Sequence, residues 1–515
     1  METYGLPAKG DDVGDLPSFS DTMSGTVVVL DIGKTNIKLV AFDAMDGAEV
    51  WSRSCPNATR LDGAYPHADV EAIEKFLLDG LADVGRSRNG FVDGIAVTTH
   101  SNSGALLAGE ALALPVLDYE FDGINETAEA YAKLRPPFYE TMSPRLPEGQ
   151  NLGAQLFWQQ CRFPEQFNTA STFVTYPQYW AFKLCGTVAT EFTSLGCHTD
   201  LWMPAHRRFS GLVARAGWSH LMAPIRKADD VLGLMYPDLA RYLGLKVPPS
   251  IFCGIHDSNA SLLPYLSSQL PKSIVSSGTW AILFSIGGSL VNLDEELGTF
   301  ANVNVFGLPI PSSRFMGGRE FDVLTNGTMI TASPDEILAV MDRRLMVFPS
   351  FAPGSGPFPS MLGSWNVLPE TLTPREKCVA ASLYLALMSN VCLGLLDASG
   401  ETVIDGPFSK NALFCDALAT LTGRSLYTTC EATAAGASRL MLPNLPVPLG
   451  TPWQGLPDAM HSALFAYAVE WYSQVNIGRS HSILTKILEE MCSLYRHRER
   501  GKIPSLSLNN TGESE

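Results

Sequence analysis

"VVVLDIGKTNIKLVAFD", residues Val27 to Asp43, contains Gly33-Lys34-Thr35, the triplet with which a P-loop ends. A P-loop also needs a glycine five residues before the Gly-Lys pair and a helix opening directly after the Lys-Thr, so that the loop wraps the phosphates and the helix N-terminus faces them. The first place is Val28, inside an apolar run. The second is Asn36-Ile37-Lys38-Leu39-Val40-Ala41-Phe42-Asp43, rich in branched and aromatic residues that favour a strand. The stretch therefore reads as strand, tight turn, strand. Gly33 permits the bend, and Thr35 and Asn36 offer donors. Successive backbone N–H groups at such a turn form an anion-binding nest. Asp31 points to the same space, where a carboxylate repels phosphate unless a cation or water chain stands between. The reading is a Mg²⁺-nucleotide site built on a hairpin, with Asp31 meeting the metal through its waters. An ordinary surface hairpin is the alternative.

The chain has 515 residues, too many for one typical core, so at least two domains are expected. Hydrophobic residues make up 46% and charged residues 17%, as in a globular enzyme. The net charge of -17 argues against a nucleic-acid partner, which needs a basic face. Nucleotides are still permitted, because backbone donors and a metal can hold them. The ten cysteines show no Cys-x-x-Cys pair and read as reduced thiols in a cytoplasmic protein. Met1 to Ser24 is polar and acidic, not a secretory signal, and is expected to be a flexible arm. Val379 to Leu396 is free of charge but carries Ser382, Ser389 and Asn390, so a buried helix is expected and no membrane partner. Ser505 to Glu515 reads as a frayed tail.

Strand and helix patterns alternate along the chain, which points to an α/β fold. Asp69 to Ala82 has Ile73, Phe76, Leu77 and Leu81 at helical spacing. Gly94 to Thr98 reads as a strand leading into a loop at His100, and Thr175 to Leu184 starts a helix stopped by Gly186. The opening theme then returns: Ile274 to Ser276 is strand, Ser277-Gly278-Thr279 is turn, and Trp280 to Ile286 is strand. Two such hairpins a domain's length apart imply a duplicated architecture with a cleft between the halves. Val403 to Asn411 reads as strand and turn, followed by helices from Ala412 to Leu421 and from Glu431 to Leu442.

These pieces, in this order, resemble the FGGY carbohydrate kinase family within the actin-like ATPase superfold, over roughly Thr26 to Leu484. Asp31-Ile32-Gly33-Lys34-Thr35-Asn36 resembles its first phosphate motif. Gly254-Ile255-His256-Asp257-Ser258-Asn259-Ala260 resembles the motif with its catalytic aspartate. Ser277-Gly278-Thr279 is similar to its second phosphate motif, and Asp405 to Asn411 stands where the family holds adenosine. Many members have three glycines there, and here only Gly406 remains. The Pro-led sugar loop also departs, since Pro115-Val116-Leu117 runs into Asp118-Tyr119-Glu120, without the family's Trp and Arg. The His100 loop, Gly317-Gly318-Arg319-Glu320 and Asp118-Tyr119-Glu120 look most like the L-fuculose and L-rhamnulose kinase branch.

The resemblance implies two actin-like (ribonuclease H-like) domains, each a mixed sheet flanked by helices: a sugar-side domain at 25–250 and a nucleotide-side domain at 251–490, with a tail at 491–515. It implies an ATP-dependent kinase acting on a ketose of the L-fuculose, L-rhamnulose, ribulose or xylulose class, with Mg²⁺, and a homodimer as the common assembly. Asp257 would accept the proton of the attacking hydroxyl, a step for which a carboxylate suffices because proton loss comes late. Gly33, Thr35, Asn36, Gly278 and Thr279 would donate to the phosphates, with Gly406 and Asn411 at the nucleoside. His100, Asp118, Tyr119, Arg319 and Glu320 are candidates for the sugar, and Lys34 reads as solvated. A polyol kinase for glycerol or erythritol is the enzymatic alternative. A non-catalytic sugar or nucleotide sensor on the same fold is the other, although such a sensor has no need of an Asp at position 257.

Overall fold

The computed structural model describes residues 25–266, 272–352, 356–429, 433–447, 449–475 and 481–500. The expected arm at 1–24, the tail beyond 500, the first residues of the expected Glu431 helix and most of the Pro353-Gly354-Ser355-Gly356-Pro357 loop lie outside them.

The first apolar run forms β1 (Thr26–Ile32) and the next β2 (Asn36–Asp43), paired antiparallel with Ile32 opposite Ile37. β3 (Glu49–Pro56) adds to β2 antiparallel. α1 (Val70–Ser87) crosses the sheet; Asp69 caps it by accepting from the Ala72 N–H, and Ile73, Phe76, Leu77, Leu81 and Val84 bury its inner face. Truncating one of these side chains to alanine costs about 2–5 kcal/mol. β4 (Gly94–Thr99) returns parallel to β1 on its other side. α2 (Tyr176–Cys185) covers the sheet and stops at Gly186, left-handed at φ +77.

The segment from Leu232 to Pro249 is more ordered than its composition indicates. It supplies β5 (Val231–Leu234) and a short helix (Pro237–Tyr242). β6 (Ser250–Phe252) and β7 (Ile255–His256) both pair parallel with β4. The sequence boundary at 250 therefore falls too early, because the N-terminal sheet takes in the chain as far as His256. α3 (Asp257–Leu262) follows directly.

The second half repeats this order. β8 (Lys272–Ser277) and β9 (Ala281–Ile286) form the second hairpin. β10 (Thr299–Val303) and β11 (Pro309–Phe315) extend it antiparallel through β9. α4 (Gly317–Thr325) and α5 (Pro374–Leu395) come next. β12 (Glu401–Asp405) returns parallel to β8, α6 (Ala412–Thr422) follows, and β13 (Leu426–Thr428) pairs parallel with β12. In both sheets an antiparallel hairpin thus continues through its first strand into parallel neighbours, the succession expected of a duplicated actin-like pair.

α5 is the one described helix long and apolar enough to cross a bilayer, and 94% of its apolar window is buried inside the protein. A reciprocal cap starts it: Thr373 Oγ1 accepts from the Glu376 N–H at 3.2 Å, and Glu376 Oε2 accepts from the Thr373 N–H at 2.8 Å. The expected helix at Glu431–Leu442 is shorter, since α7 spans Thr433–Ser438 and turns follow. α7 packs on α3 so closely that a Cβ on Gly436 would lie 2.2 Å from the Ala260 carbonyl oxygen. α8 (Asp458–Gln474) and α9 (His481–Arg500) complete the C-terminal core. Leu484, Ile487 and Met491 of α9 are buried, so the expected tail begins inside a helix.

Candidate active site

Three strand ends bring the site together. Thr99 of β4 stands opposite Ile32 of β1 on one side and His256 of β7 on the other. The Gly33 turn and Asp257 therefore leave the sheet edge as near neighbours. Gly254, at φ +89, precedes β7 where a Cβ would lie 2.5 Å from the Val97 carbonyl oxygen, so only glycine lets the chain come in beside β4.

Asp257 opens α3 and lines a cleft between the two halves. Its Oδ1 accepts from His256 Nε2 at 2.9 Å and from the Ser258 N–H at 2.6 Å. Burial pushes this carboxyl up, but the His256 charge beside it outweighs burial and holds it below the usual carboxylate value. His256 is itself buried, which pulls its pKa down; Cys197 and Asp257 reverse this and take it up to about 10. Behind it, the His256 N–H donates to Thr193 Oγ1 at 3.0 Å, and that hydroxyl donates to Glu191 Oε2 at 2.5 Å. Glu191 is fully buried, and burial raises it to about 7 against the donors of Thr193 and Ser194.

Asp31, on the neighbouring strand, is pushed up to about 7, first by burial and then by the charge of Asp257, with Lys38 opposing. Two adjacent carboxylates of which one resists ionisation suit a hydrated divalent cation. Among the described residues no cluster of three metal-ligating side chains exists. A cation here would thus keep most of its waters, as Mg²⁺ does.

The first turn differs in detail from its sequence reading. The Gly33 N–H donates to the Asn36 carbonyl at 2.9 Å inside the bend, and Asn57 braces it by donating to the carbonyls of Gly33 and Thr35. The expected donation from Gly33 is therefore replaced: the N–H groups of Lys34 and Thr35 lack a protein partner among the described residues, and Thr35 and Asn36 are exposed. Lys34 is not solvated. Its ammonium pairs with Asp118, donates to Thr59 at 3.1 Å and lies 5.2 Å from the Tyr119 ring centre. Asp118 is thereby committed to Lys34 and Thr59 and lies outside the residues lining the main cleft, while Tyr119 lines it.

His100 also lines the cleft, packed between Tyr119 and Tyr176 at ring distances of 5.5 and 5.2 Å. Its Nδ1 lies 2.8 Å from the Ser101 carbonyl and so donates to it. Burial lowers its pKa. The neutral ring then leaves Nε2 as an acceptor, a form suited to a hydroxyl donor.

The second turn repeats the first. The Gly278 N–H donates to the Trp280 carbonyl at 2.9 Å, again leaving the next amide, that of Thr279, without a protein partner among the described residues. Two glycine backbones press on this turn. A Cβ on Gly318 would lie 2.0 Å from the Gly278 carbonyl oxygen, and one on Gly406, at φ +80, would lie 2.0 Å from that of Ser277. Asn411 is not free for a ligand through its side chain. Its Oδ1 caps α6 by accepting from the Phe414 N–H at 3.1 Å, and its Nδ2 donates to Ser382 at 2.9 Å. A cavity of about 190 Å³ opens beside it, walled by Met329, Ile330, Ala412 and Leu413.

Arg319 and Glu320 separate. The Arg319 N–H donates to the Thr279 carbonyl at 3.3 Å, and its side chain lines the cleft. Glu320 points the other way and is 1% exposed. Its Oε1 accepts from the Phe351 N–H at 2.9 Å and the Ala352 N–H at 3.2 Å, and its Oε2 accepts from Tyr384 at 2.8 Å. The sugar contact expected of Glu320 is therefore overturned, because helical spacing puts the residue after Arg319 on the core side of α4.

The cleft measures about 680 Å³ and is walled by both halves: His100, Asn102, Tyr119, Cys197, His198 and Asp257 face Trp280, Asn302, Arg314 and Arg319. Sequence reading missed Glu191, Thr193, Cys197, Asn302 and Arg314, which stand in no motif. Alternation along β11 was the available signal for Arg314.

Residues 269–447 match the family model for the carbohydrate kinase FGGY C-terminal domain. The crystal structure of a carbohydrate kinase from Novosphingobium aromaticivorans is 32% identical, with a TM-score of 0.79 over 88% of this chain and 98% of that one. The chain belongs to the FGGY carbohydrate kinase family. It is thus an ATP-dependent sugar kinase, and its two sheets are the paired lobes of that fold. A xylulose kinase from Rhodospirillum rubrum (17% identity, TM-score 0.72, 89% and 100% covered) shares the architecture of this FGGY kinase. So does a glycerol kinase from Plasmodium falciparum solved with ADP (12%, 0.70, 88% and 98%). No curated protein sequence matches the chain significantly.

Proposed function

We propose that this FGGY kinase transfers the γ-phosphoryl group of MgATP to a hydroxyl of a small polyhydroxylated sugar, with Asp257 as the proton acceptor. The observation that carries this reading is the Asp257–His256 pair at the cleft wall, which favours the ionised form of a half-buried carboxylate beside the first turn. The sugar hydroxyl attacks the γ-phosphorus. A new P–O bond forms, the bond to the β,γ-bridging oxygen breaks, the hydroxyl proton passes to Asp257, and ADP leaves. The free amides of Thr35 and Thr279, with Arg319, meet the charge that spreads over the phosphoryl oxygens. Asp31 would hold Mg²⁺ through its waters, and the bound ion would supply charge neutralisation to the triphosphate. His100 Nε2 and Tyr119 hold sugar hydroxyls. Adenine enters the cavity beside Asn411, with Gly406 letting its chain pass against the Ser277–Thr279 turn.

Neutral ketoses of the L-fuculose, L-rhamnulose, ribulose and xylulose class are the acceptors the resemblance implies, with glycerol and erythritol as the polyol alternative. ADP release coupled to a spectrophotometric readout, over a panel of these acceptors, tests the reading. Asp257→Asn should lower kcat by about 10²–10⁴-fold, the range of general-base assistance, with ATP binding retained. Undiminished turnover in that variant removes Asp257 from the role. Binding of sugar and ATP without any ADP release in the wild type favours the sensor.

A further inference from the structure

A separate cavity opens at the far end of α3. It measures about 580 Å³ and shares no wall residue with the cleft, where α3 begins at Asp257. Both halves wall it: Phe192, Arg207 and Lys227 come from the first, and Leu263, Phe306 and Leu445 from the second. A space of this size takes a small organic molecule. Apart from Arg207, Lys227, Asp229 and Arg439, every residue on the wall is apolar. A sugar, a sugar phosphate or a nucleotide is therefore a poor occupant, because its hydroxyls and phosphates would face hydrocarbon without partners.

The charged groups say what an occupant must carry. Arg439 is buried and committed: its guanidinium donates to the carbonyls of Leu445 at 2.6 Å and Pro446 at 2.7 Å, which fixes one wall. Arg207, Lys227 and Asp229 are exposed at the rim. The Arg207 guanidinium lies 5.5 Å from the ring centre of Phe192, laid over the apolar wall. Among the described residues neither Arg207 nor Lys227 pairs with a carboxylate. Two cations and one carboxylate leave a single positive charge at the rim, which one negative charge balances. A guanidinium beside an ammonium donates charge-assisted hydrogen bonds to a carboxylate.

The wall is tied to the proton acceptor at three points. Leu263 follows directly on α3, which Asp257 begins. Phe192 stands between Glu191 and Thr193, and Thr193 Oγ1 accepts from the His256 N–H at 3.0 Å. Arg439 and Leu440 follow α7, whose Gly436 abuts the Ala260 carbonyl. A molecule seated here bears on the elements that position Asp257, so its binding is linked to events in the cleft.

We infer that this cavity is a regulatory site for an apolar monocarboxylate, an acyl or aryl acid, whose head meets Arg207 and Lys227 and whose body fills the space between the halves. The site stands apart from the reading of the cleft, and its occupation is measured without turnover.

The test is calorimetric titration of the full chain with dodecanoate below its micellar concentration, beside decanoate, dodecanol and inorganic phosphate. Dodecanoate should bind at one site per chain. It should bind about tenfold more tightly than decanoate, as two methylenes taken from water imply, and about tenfold more tightly than dodecanol. Inorganic phosphate should give no heat of binding. Arg207→Gln combined with Lys227→Gln should bring dodecanoate to the affinity of dodecanol, and Phe306→Asp should weaken it by about tenfold or more; all three side chains are exposed, so the core is left intact. With MgADP bound, the affinity for dodecanoate should change by about fivefold or more, and dodecanoate should change the affinity for MgADP by the same factor. Absence of saturable binding, or binding indifferent to these substitutions, overturns the site. Equal affinities for dodecanoate and dodecanol overturn the carboxylate. Independent binding of dodecanoate and MgADP overturns the regulatory role.

Discussion

The backbone of Gly406 passes so close to Ser277 that a Cβ atom there would lie 2.0 Å from the Ser277 carbonyl oxygen. Gly318 approaches Gly278 equally closely from the other side. Since carbonyl oxygens at 2.0 Å cannot be accommodated by side-chain motion, one methyl group must displace the turn. Gly406→Ala and Gly318→Ala should each raise the KM for ATP by about tenfold or more, roughly 1.4 kcal/mol of lost binding. Gly25→Ala, where nothing lies within 4 Å, should not change it. Steady-state kinetics on the three variants decides the matter; equal ATP affinities would separate the turn from the nucleotide.

His256 sets the protonation of Asp257. Burial alone would raise that carboxyl, and the imidazole holds it down. Replacing His256 with asparagine should therefore move the acid limb of the kcat/KM profile that belongs to Asp257 to higher pH. An acid limb that stays in place in His256→Asn would show that the base is tuned by something else.

Glu191 should make stability depend on pH in the sense opposite to a salt-bridged carboxylate. Its folded pKa is raised from 4.5 to about 7, so the folded state prefers the protonated form. Its contribution is complete at and below its unfolded value, declines as pH rises through this window, and stays lost above it. Glu191→Gln cannot titrate and still offers an oxygen to the Thr193 N–H. The melting temperature of the variant relative to wild type should climb between about pH 5 and about pH 8. A difference that is flat with pH would contradict the burial argument.

Glu320 should matter for stability and not for substrate. Glu320→Ala leaves the Phe351 and Ala352 N–H groups and the Tyr384 hydroxyl without their acceptor, a loss of about 3 kcal/mol. Tyr384→Phe removes one hydrogen bond to a charged group, about 1.5 kcal/mol. Chemical denaturation measures both. A rise in the acceptor KM in the milder Tyr384→Phe variant would tie this cluster to the sugar.

What the sequence disclosed was carried by local signals. The strand–turn–strand pattern around Gly33 and again around Gly278 is written in branched residues and glycines, and both hairpins form as read. Asp257 was singled out only because Gly254 to Ala260 resembles a family motif; an Asp after a glycine-led loop is by itself an ordinary turn residue. The misreadings came from contacts made at long range. Lys34 looked solvated until Asp118, which is 84 residues away, closed on it. Asn411 and Glu320 look like ligand residues in one dimension, yet a helix cap and the rotation of α4 direct them inward. Arg314 and Glu191 take their meaning from neighbours on other strands, which no window of sequence contains.

The contact of Gly436 with Ala260 also constrains movement. Two main chains meet there with no side chain between them to compress or reorient, next to the helix that Asp257 begins. Such a joint resists sliding: with main chain against main chain, the start of that helix, one turn away at Asp257, is held at a fixed separation from Gly436.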